Sequence, residues 1–309
     1  MMRALGWGKG GWVGTVGWVG WVGKVGRVGT VGTVGRVGWV VWLVLAAVPL
    51  AAQETTLRGP VLVQGAMTSE TERFVGRLEQ PRLEQIGNWS FWHGSIDGYP
   101  VVVSKTNKGM SNAAAATALA IERFHPIAIF NQGTSGGHDP DLRVYDIVLG
   151  TASLNVGAFR ALFRKRGEGS RPLEWVPLDL LAEGSAISPD APKRPARFDA
   201  DPALLGVARE VRATYTRGRV VDGVIGSSDM WIDELDRVAL FHSAFGTSVE
   251  EMETASAAQV AAAFGVPFLG IRVLSDNITN GSRYDARAGE ACEDFVFTVV
   301  THYVARLAK

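Results

Sequence analysis

Beyond Thr55 the chain is written in short apolar runs that alternate with longer amphipathic or alanine-rich ones, and the apolar runs end in polar or glycine-rich residues. Residues 266–274 are nearly all apolar, which predicts a strand buried on both faces of a mostly parallel sheet. Just before them, residues 254–264 have helical composition, with Gly265 and Pro267 as stop signals. Ala255, Ala257, Ala258, Ala261, Ala262 and Ala263 leave this helix so little bulk that it can lie very close to its neighbours. The same grammar recurs along the chain. Residues 60–64 predict a strand, and 68–78 a helix with Thr68 or Ser69 as N-cap. Residues 90–96 and 99–104 predict a hairpin about Asp97-Gly98. Residues 105–112 read as a polar loop, 113–124 as a second alanine-rich helix, and 126–130 as a strand running into a glycine-rich turn. A strand over 143–151 follows. The charged, proline-bearing residues 152–201 read as a surface excursion. A helix over 202–214 and a strand over 219–225 resume the order. Such alternation predicts a single α/β domain with its sheet covered on both faces.

Residues 1–53 follow other rules. A glycine falls at every third position from Gly8 to Gly38, without the prolines that collagen needs, so this is a low-complexity repeat with no core of its own. Residues 40–50 are apolar, preceded by Arg27 and Arg36 and followed by Ala51 and Ala52. That pattern predicts an export signal, or else a lasting N-terminal anchor, although the run is short for a bilayer. The folded domain is expected over residues 55–309.

Charge narrows the function. Lys plus Arg and Asp plus Glu both total 31, so nothing favours a nucleic acid or another polyanion, and a small neutral ligand is expected. Cys292 is the single cysteine, which excludes an intrachain disulfide and predicts a buried thiol in a C-terminal helix. The five histidines show no ligand spacing, so neither metal nor other cofactor is expected.

Candidate chemistry gathers at the strand ends, where open α/β sheets bind ligands. Gly65-Ala66-Met67 precedes Glu70, for which complementing a helix dipole is the bland explanation. Gly133-Thr134-Ser135-Gly136-Gly137, then Ser228-Asp229-Met230-Trp231-Ile232, then Glu250-Glu251-Met252-Glu253, and finally Arg272 with Ser275-Asp276 complete the series. In this order the motifs resemble the nucleoside phosphorylase superfamily, and within it most closely the 5'-methylthioadenosine/S-adenosylhomocysteine nucleosidases. The resemblance spans roughly residues 61–307 and implies a three-layer α/β/α domain around a twisted mixed sheet, working as a homodimer on a purine nucleoside. It implies Asp276 as the acid facing purine N7, with a pKa raised by burial, and Glu70 as the residue that activates water. Glu253, ionised, would hold the ribose hydroxyls, with Met252 against the sugar. Trp231 would stack on the base, whose edge the Ile232 backbone reads. Arg272 and Ser275 would orient Asp276, while Met67, Thr134, Gly136 and Glu251 complete the implied binding set. Tyr284 is a further candidate for closing the pocket.

Three functions follow from this resemblance. Hydrolysis of the N-glycosidic bond is favoured, because a phosphorylase needs arginines for phosphate where this chain has Ser69 and Asn131. Phosphorolysis is the alternative enzyme, and an exported nucleoside-binding or storage protein the alternative outside catalysis. His138-Asp139 depart from the small or apolar residues usual in the family, and the 152–201 excursion is longer than in compact nucleosidases. The 5' substituent and the choice of adenine or hypoxanthine stay open.

Overall fold

The computed structural model describes residues 59–185 and 187–307; the glycine repeat and the apolar run at 40–50 lie outside them. The strands are β1 (Val61–Gly65), β2 (Glu79–Ile86), β3 (Trp89–Ile96), β4 (Tyr99–Lys105), β5 (Ala128–Gly137), β6 (Ile147–Asn155), β7 (Phe159–Arg160), β8 (Val176–Pro177), β9 (Arg197–Asp199), β10 (Val220–Ser227), β11 (Thr247–Glu251) and β12 (Phe268–Asp276). The helices are α1 (Glu72–Val75), α2 (Met110–Phe124), α3 (Pro202–Glu210), α4 (Leu235–Phe245), α5 (Thr254–Phe264) and α6 (Ala288–Leu307). One mixed sheet runs in the order β11-β10-β6-β12-β5-β1-β4-β3-β2, with β9 added beside β6.

Alternation along the central strands sorts their side chains onto two faces. Val61 and Val63 of β1, with Val101 and Val103 of β4, join a core built with Phe295, Val296, Val299 and Val300 of α6. Leu62, Val102 and Ile129 point the other way, into a core with Ala113 and Ala120 of α2 and Ala255, Ala258 and Ala261 of α5. The alanines on both α2 and α5 let these helices lie against each other and against the sheet, as expected of helices with so little bulk. Cys292 is fully buried on α6. No described helix is long and apolar enough to cross a membrane.

Several boundaries differ from the sequence expectation, each for a local reason. The predicted helix over 68–78 breaks at Thr71, and neither Thr68 nor Ser69 caps it; the N–H groups of Ala66 and Met67 bond to the Glu70 carboxylate instead. The glycine-rich turn after β5 is not a turn, because the strand continues through Gly137. It continues there because β11, also absent from the sequence reading, pairs with it antiparallel, Val249 opposite Gly137 and Glu250 opposite Gly136. Since β11 also pairs with β10, this end of the sheet closes on itself. Strand β6 runs four residues into the predicted excursion, and β9 returns from it to the sheet. Strand β12 carries Ser275 and Asp276 inside the strand, not beyond it. Strand β2 and helix α4 were also not foreseen.

Candidate active site

The closed end of the sheet and the chain entering α5 surround a cavity of about 240 Å³. Its lining includes Met67, Glu70, Thr134, Gly136, Trp231, Ile232, Glu251, Met252, Glu253, Ser275, Asp276 and Tyr284, residues drawn from six separate stretches of the chain. Arg272 is the member of the expected set that does not reach the lining.

Glu70 stands where β1 gives way to the first helical turn, and is buried. One carboxylate oxygen accepts from the N–H groups of Ala66 and Met67 at 3.0 and 3.1 Å. The other accepts from the N–H and hydroxyl of Thr134 at 2.8 and 2.9 Å. Gly133 is required by this arrangement: a Cβ there would come within 2.9 Å of the Glu70 carboxylate. On the far side of Glu70, buried Glu293 of α6 accepts from the Phe74 N–H at 2.7 Å. Burial pushes the Glu293 carboxyl up to about 7.

Glu251 and Glu253 come from the turn joining β11 to α5. Glu251 accepts from the N–H groups of Glu253 and Thr254 at 3.0 and 2.9 Å, from the Ser227 hydroxyl, and from Arg272. Burial works against its charge, yet the Arg272 guanidinium and these donors outweigh burial and hold the carboxyl below its ordinary value. Glu251, expected among the substrate ligands, reaches the lining, and its oxygens also cap α5 and pair Arg272. Arg272 was expected to orient Asp276, but its guanidinium is committed to Glu251, the Asn131 side chain and carbonyl, and the Ile271 carbonyl. It is a positioning residue beneath the floor of the cavity.

Glu253 has no such support. It accepts from the Gly109 N–H at 2.9 Å and, more weakly, from the Met252 N–H at 3.3 Å. Burial first, and then the charge of Glu251, push its carboxyl up to about 8 against the pull of Arg272. Where the resemblance implies an ionised Glu253, burial and the neighbouring Glu251 charge favour its protonated form.

Asp276 ends β12 and is half-buried. Burial raises its pKa, aided by Asp233 and opposed by the Ser275 hydroxyl, which donates to one carboxylate oxygen at 2.9 Å. Trp231 stands at the rim, 72% exposed, its indole N–H directed to Asp233 at 3.3 Å. Ile232 is buried beside it, and Tyr284 lies on the exposed margin.

Lys108, Val238 and Ile278 in the lining were not legible in the sequence, and Glu250 was part of a motif but given no role in the site. Lys108 sat in what read as a polar loop, and Glu250 was grouped with an acidic cluster in front of a helix. Gly109 and Met110 tie that loop to the site, since Glu253 accepts from the first and Asp229 from the second at 2.7 Å. Among the described residues no cluster of His, Cys, Asp and Glu is arranged to hold a metal.

Comparison with known proteins identifies the family. The sequence profile of the Phosphorylase superfamily matches residues 60–307. The 5'-methylthioadenosine/S-adenosylhomocysteine nucleosidase of Bacillus licheniformis is 32% identical over 217 residues, 70% of this chain and 85% of that one. Its namesake from Shewanella sediminis is 33% identical over 222 residues, 72% of this chain and 87% of that protein. Among solved structures, the nucleosidase of the same name from Neisseria meningitidis in complex with methylthio-immucillin-A superposes with a TM-score of 0.63 at 26% identity, covering 79% of this chain and 99% of that one. A futalosine hydrolase of Helicobacter pylori, TM-score 0.63 at 19% identity over 80% of this chain and 99% of its own, shares the fold.

Proposed function

Because the chain belongs to the phosphorylase superfamily, we propose that it is a nucleosidase hydrolysing the N-glycosidic bond of an adenosine-type nucleoside such as 5'-methylthioadenosine or S-adenosylhomocysteine. The observation that carries this reading is the meeting of Glu70, Glu253 and Asp276, far apart in sequence, around one cavity. Its named relatives, nucleosidases at 32 and 33% identity, support it.

Departure of a purine leaves positive charge on the sugar, so the reaction needs a proton for the base, a nucleophile for the sugar and polar groups on its hydroxyls. Asp276, with its raised pKa, donates the proton to N7. Glu70, fixed by four hydrogen bonds, and the Thr134 hydroxyl beside it orient the attacking water. Glu253 grips the ribose hydroxyls, and can both donate and accept while neutral. A carboxylic acid on the base and a second carboxylate serving water follow the logic of inverting glycosidases.

Water rather than phosphate is the nucleophile. The lining holds Glu70, Glu250, Glu251, Glu253 and Asp276 against Lys108 alone, a poor setting for a dianion. Asn131 is already bonded to Arg272 and Gln64. The test is to incubate the protein with methylthioadenosine, adenosylhomocysteine and adenosine, with and without phosphate, and to identify both products. Free adenine with an unphosphorylated sugar is expected; a phosphate-dependent sugar 1-phosphate would identify a phosphorylase, and no release a binding protein. The reading includes a homodimer, favoured by exposed Leu162, Phe163, Leu180 and Leu181 on the 157–196 segment, and light scattering measures it.

A further inference from the structure

His138 lies on no part of the reaction just described, yet it is 1% exposed and directed at the cavity wall. We infer that His138 and Glu250 together read the group at C6 of the purine, admitting an amino group and rejecting a carbonyl. This rests on the proposed assignment of Asp276 to N7.

Glu250 lines the cavity opposite Gly136 on the strand pair that closes the sheet. The point where a Cβ of Gly136 would stand is 3.8 Å from Glu250 Oε1 and 3.7 Å from Asp276 Oδ2. The two carboxyl groups therefore flank the same bare patch of backbone. On a purine, N7 and the C6 substituent are neighbours on one edge, where a 6-aminopurine offers an acceptor beside a donor and a 6-oxopurine two acceptors. With Asp276 on N7, the adjacent carboxyl meets the C6 substituent.

His138 decides how that carboxyl behaves. Its Nδ1 lies 2.7 Å from the Thr247 hydroxyl, and its ring packs on Phe241 with centroids 5.9 Å apart. Nε2 stands 3.3 Å from Glu250 Oε2, an ion-pair distance without hydrogen-bond alignment, and neither atom has a hydrogen-bond partner among the described residues. A hydroxyl donating to Nδ1 leaves the ring proton on Nε2, the nitrogen on the Oε2 side, where a small turn of the Glu250 carboxyl brings the two into line. So aligned, His138 holds one Glu250 oxygen and leaves Oε1, the oxygen beside Gly136, as the acceptor for the ligand. An amino group at C6 satisfies it, whereas a carbonyl sets lone pair against lone pair. Sites that present a fixed hydrogen-bonding group reject analogues that leave it unpaired by large factors.

The experiment compares the parent chain with Glu250→Gln in two arms. One measures adenine and hypoxanthine binding by calorimetry, and the other turnover of methylthioadenosine and its 6-oxo counterpart. The parent is expected to favour the amino ligand by at least about 100-fold in each arm. Glu250→Gln, whose amide can turn its NH2 toward a carbonyl, is expected to cut that ratio by at least about tenfold. His138→Leu is expected to weaken the preference more than His138→Gln, which keeps a donor. Near-equal affinity of the parent for both bases, or an unchanged ratio in Glu250→Gln, would overturn the inference. Glu250→Ala, which only empties space into the cavity, carries the same comparison should the glutamine variant fail to fold. A shifted binding ratio without turnover of either nucleoside leaves the pair standing and removes the hydrolase reading alone.

Discussion

Glu251 at the end of β11 and Glu253 at the entrance to α5 are two residues apart and equally buried, at 8% exposure each, yet their pKa values move in opposite directions. The first is surrounded by donors and a guanidinium; the second has two backbone N–H groups, one of them distant. Burial alone does not decide the charge of a carboxyl here, and the supply of donors does. Asp276, with a single hydroxyl for support, falls on the side of Glu253. The site thus separates a carboxyl whose donors favour the anion from carboxyls whose burial favours the acid.

Four substitutions and one pH profile probe this division. Asp276→Asn should lower kcat by about 10²–10⁴-fold while leaving the thermal midpoint near that of the parent, because the amide keeps the shape and loses only the proton. In the parent, kcat should fall as pH rises through the raised Asp276 pKa. A full-speed asparagine variant would remove Asp276 from the proton-donating group. Next, Arg272→Met should destabilise the fold by about 3–5 kcal/mol in urea unfolding, since it leaves Glu251 buried and unpaired. A loss below about 1 kcal/mol would mean that the backbone donors suffice without the guanidinium.

Smaller effects test the neutral acids. A carboxyl whose pKa rises on folding holds its proton more tightly in the native chain. The stability it permits is whole below its ordinary value of 4.5 and is lost as pH climbs through about 8 for Glu253. Glu253→Gln should therefore melt several degrees above the parent at pH 9 and close to it at pH 4, with the sugar affinity reduced at both. The smallest shift is expected from Glu293→Gln, where the corresponding loss runs up to about 7. Its midpoint should exceed that of the parent by a degree or two at pH 8 and match it at pH 4. Equal pH profiles for parent and variant in either pair would show the carboxyl ionised in the native protein.

Much of this division was beyond what the sequence could convey. Helix α5 was legible to the residue, because six small alanines between an acidic turn and Gly265 admit one structure. The α/β class and the apolar centre of β12 were equally plain. Strand β11 was not, since Thr247-Ser248-Val249-Glu250-Glu251 reads as a polar lead-in to a helix and becomes a strand only by pairing with β5 and β10. The glycines of β5 misled in the same way: they signal a turn locally, but here they admit close neighbours, Glu70 at Gly133 and Asn277 at Gly137. That Arg272 pairs with Glu251 rather than reaching Asp276 was not legible, because a linear pattern gives the spacing of charges and not which of them meet.

The pairing of Glu250 with Gly136 has a consequence for how this pocket can change over time. The rung is made of main-chain groups, so whatever side chain hangs from position 250 is borne by a scaffold indifferent to its chemistry. Exchanging the residues at 138 and 250 would retune which base is welcomed while the sugar-cleaving apparatus stays as it is, making nucleobase choice a replaceable fitting on a fixed machine.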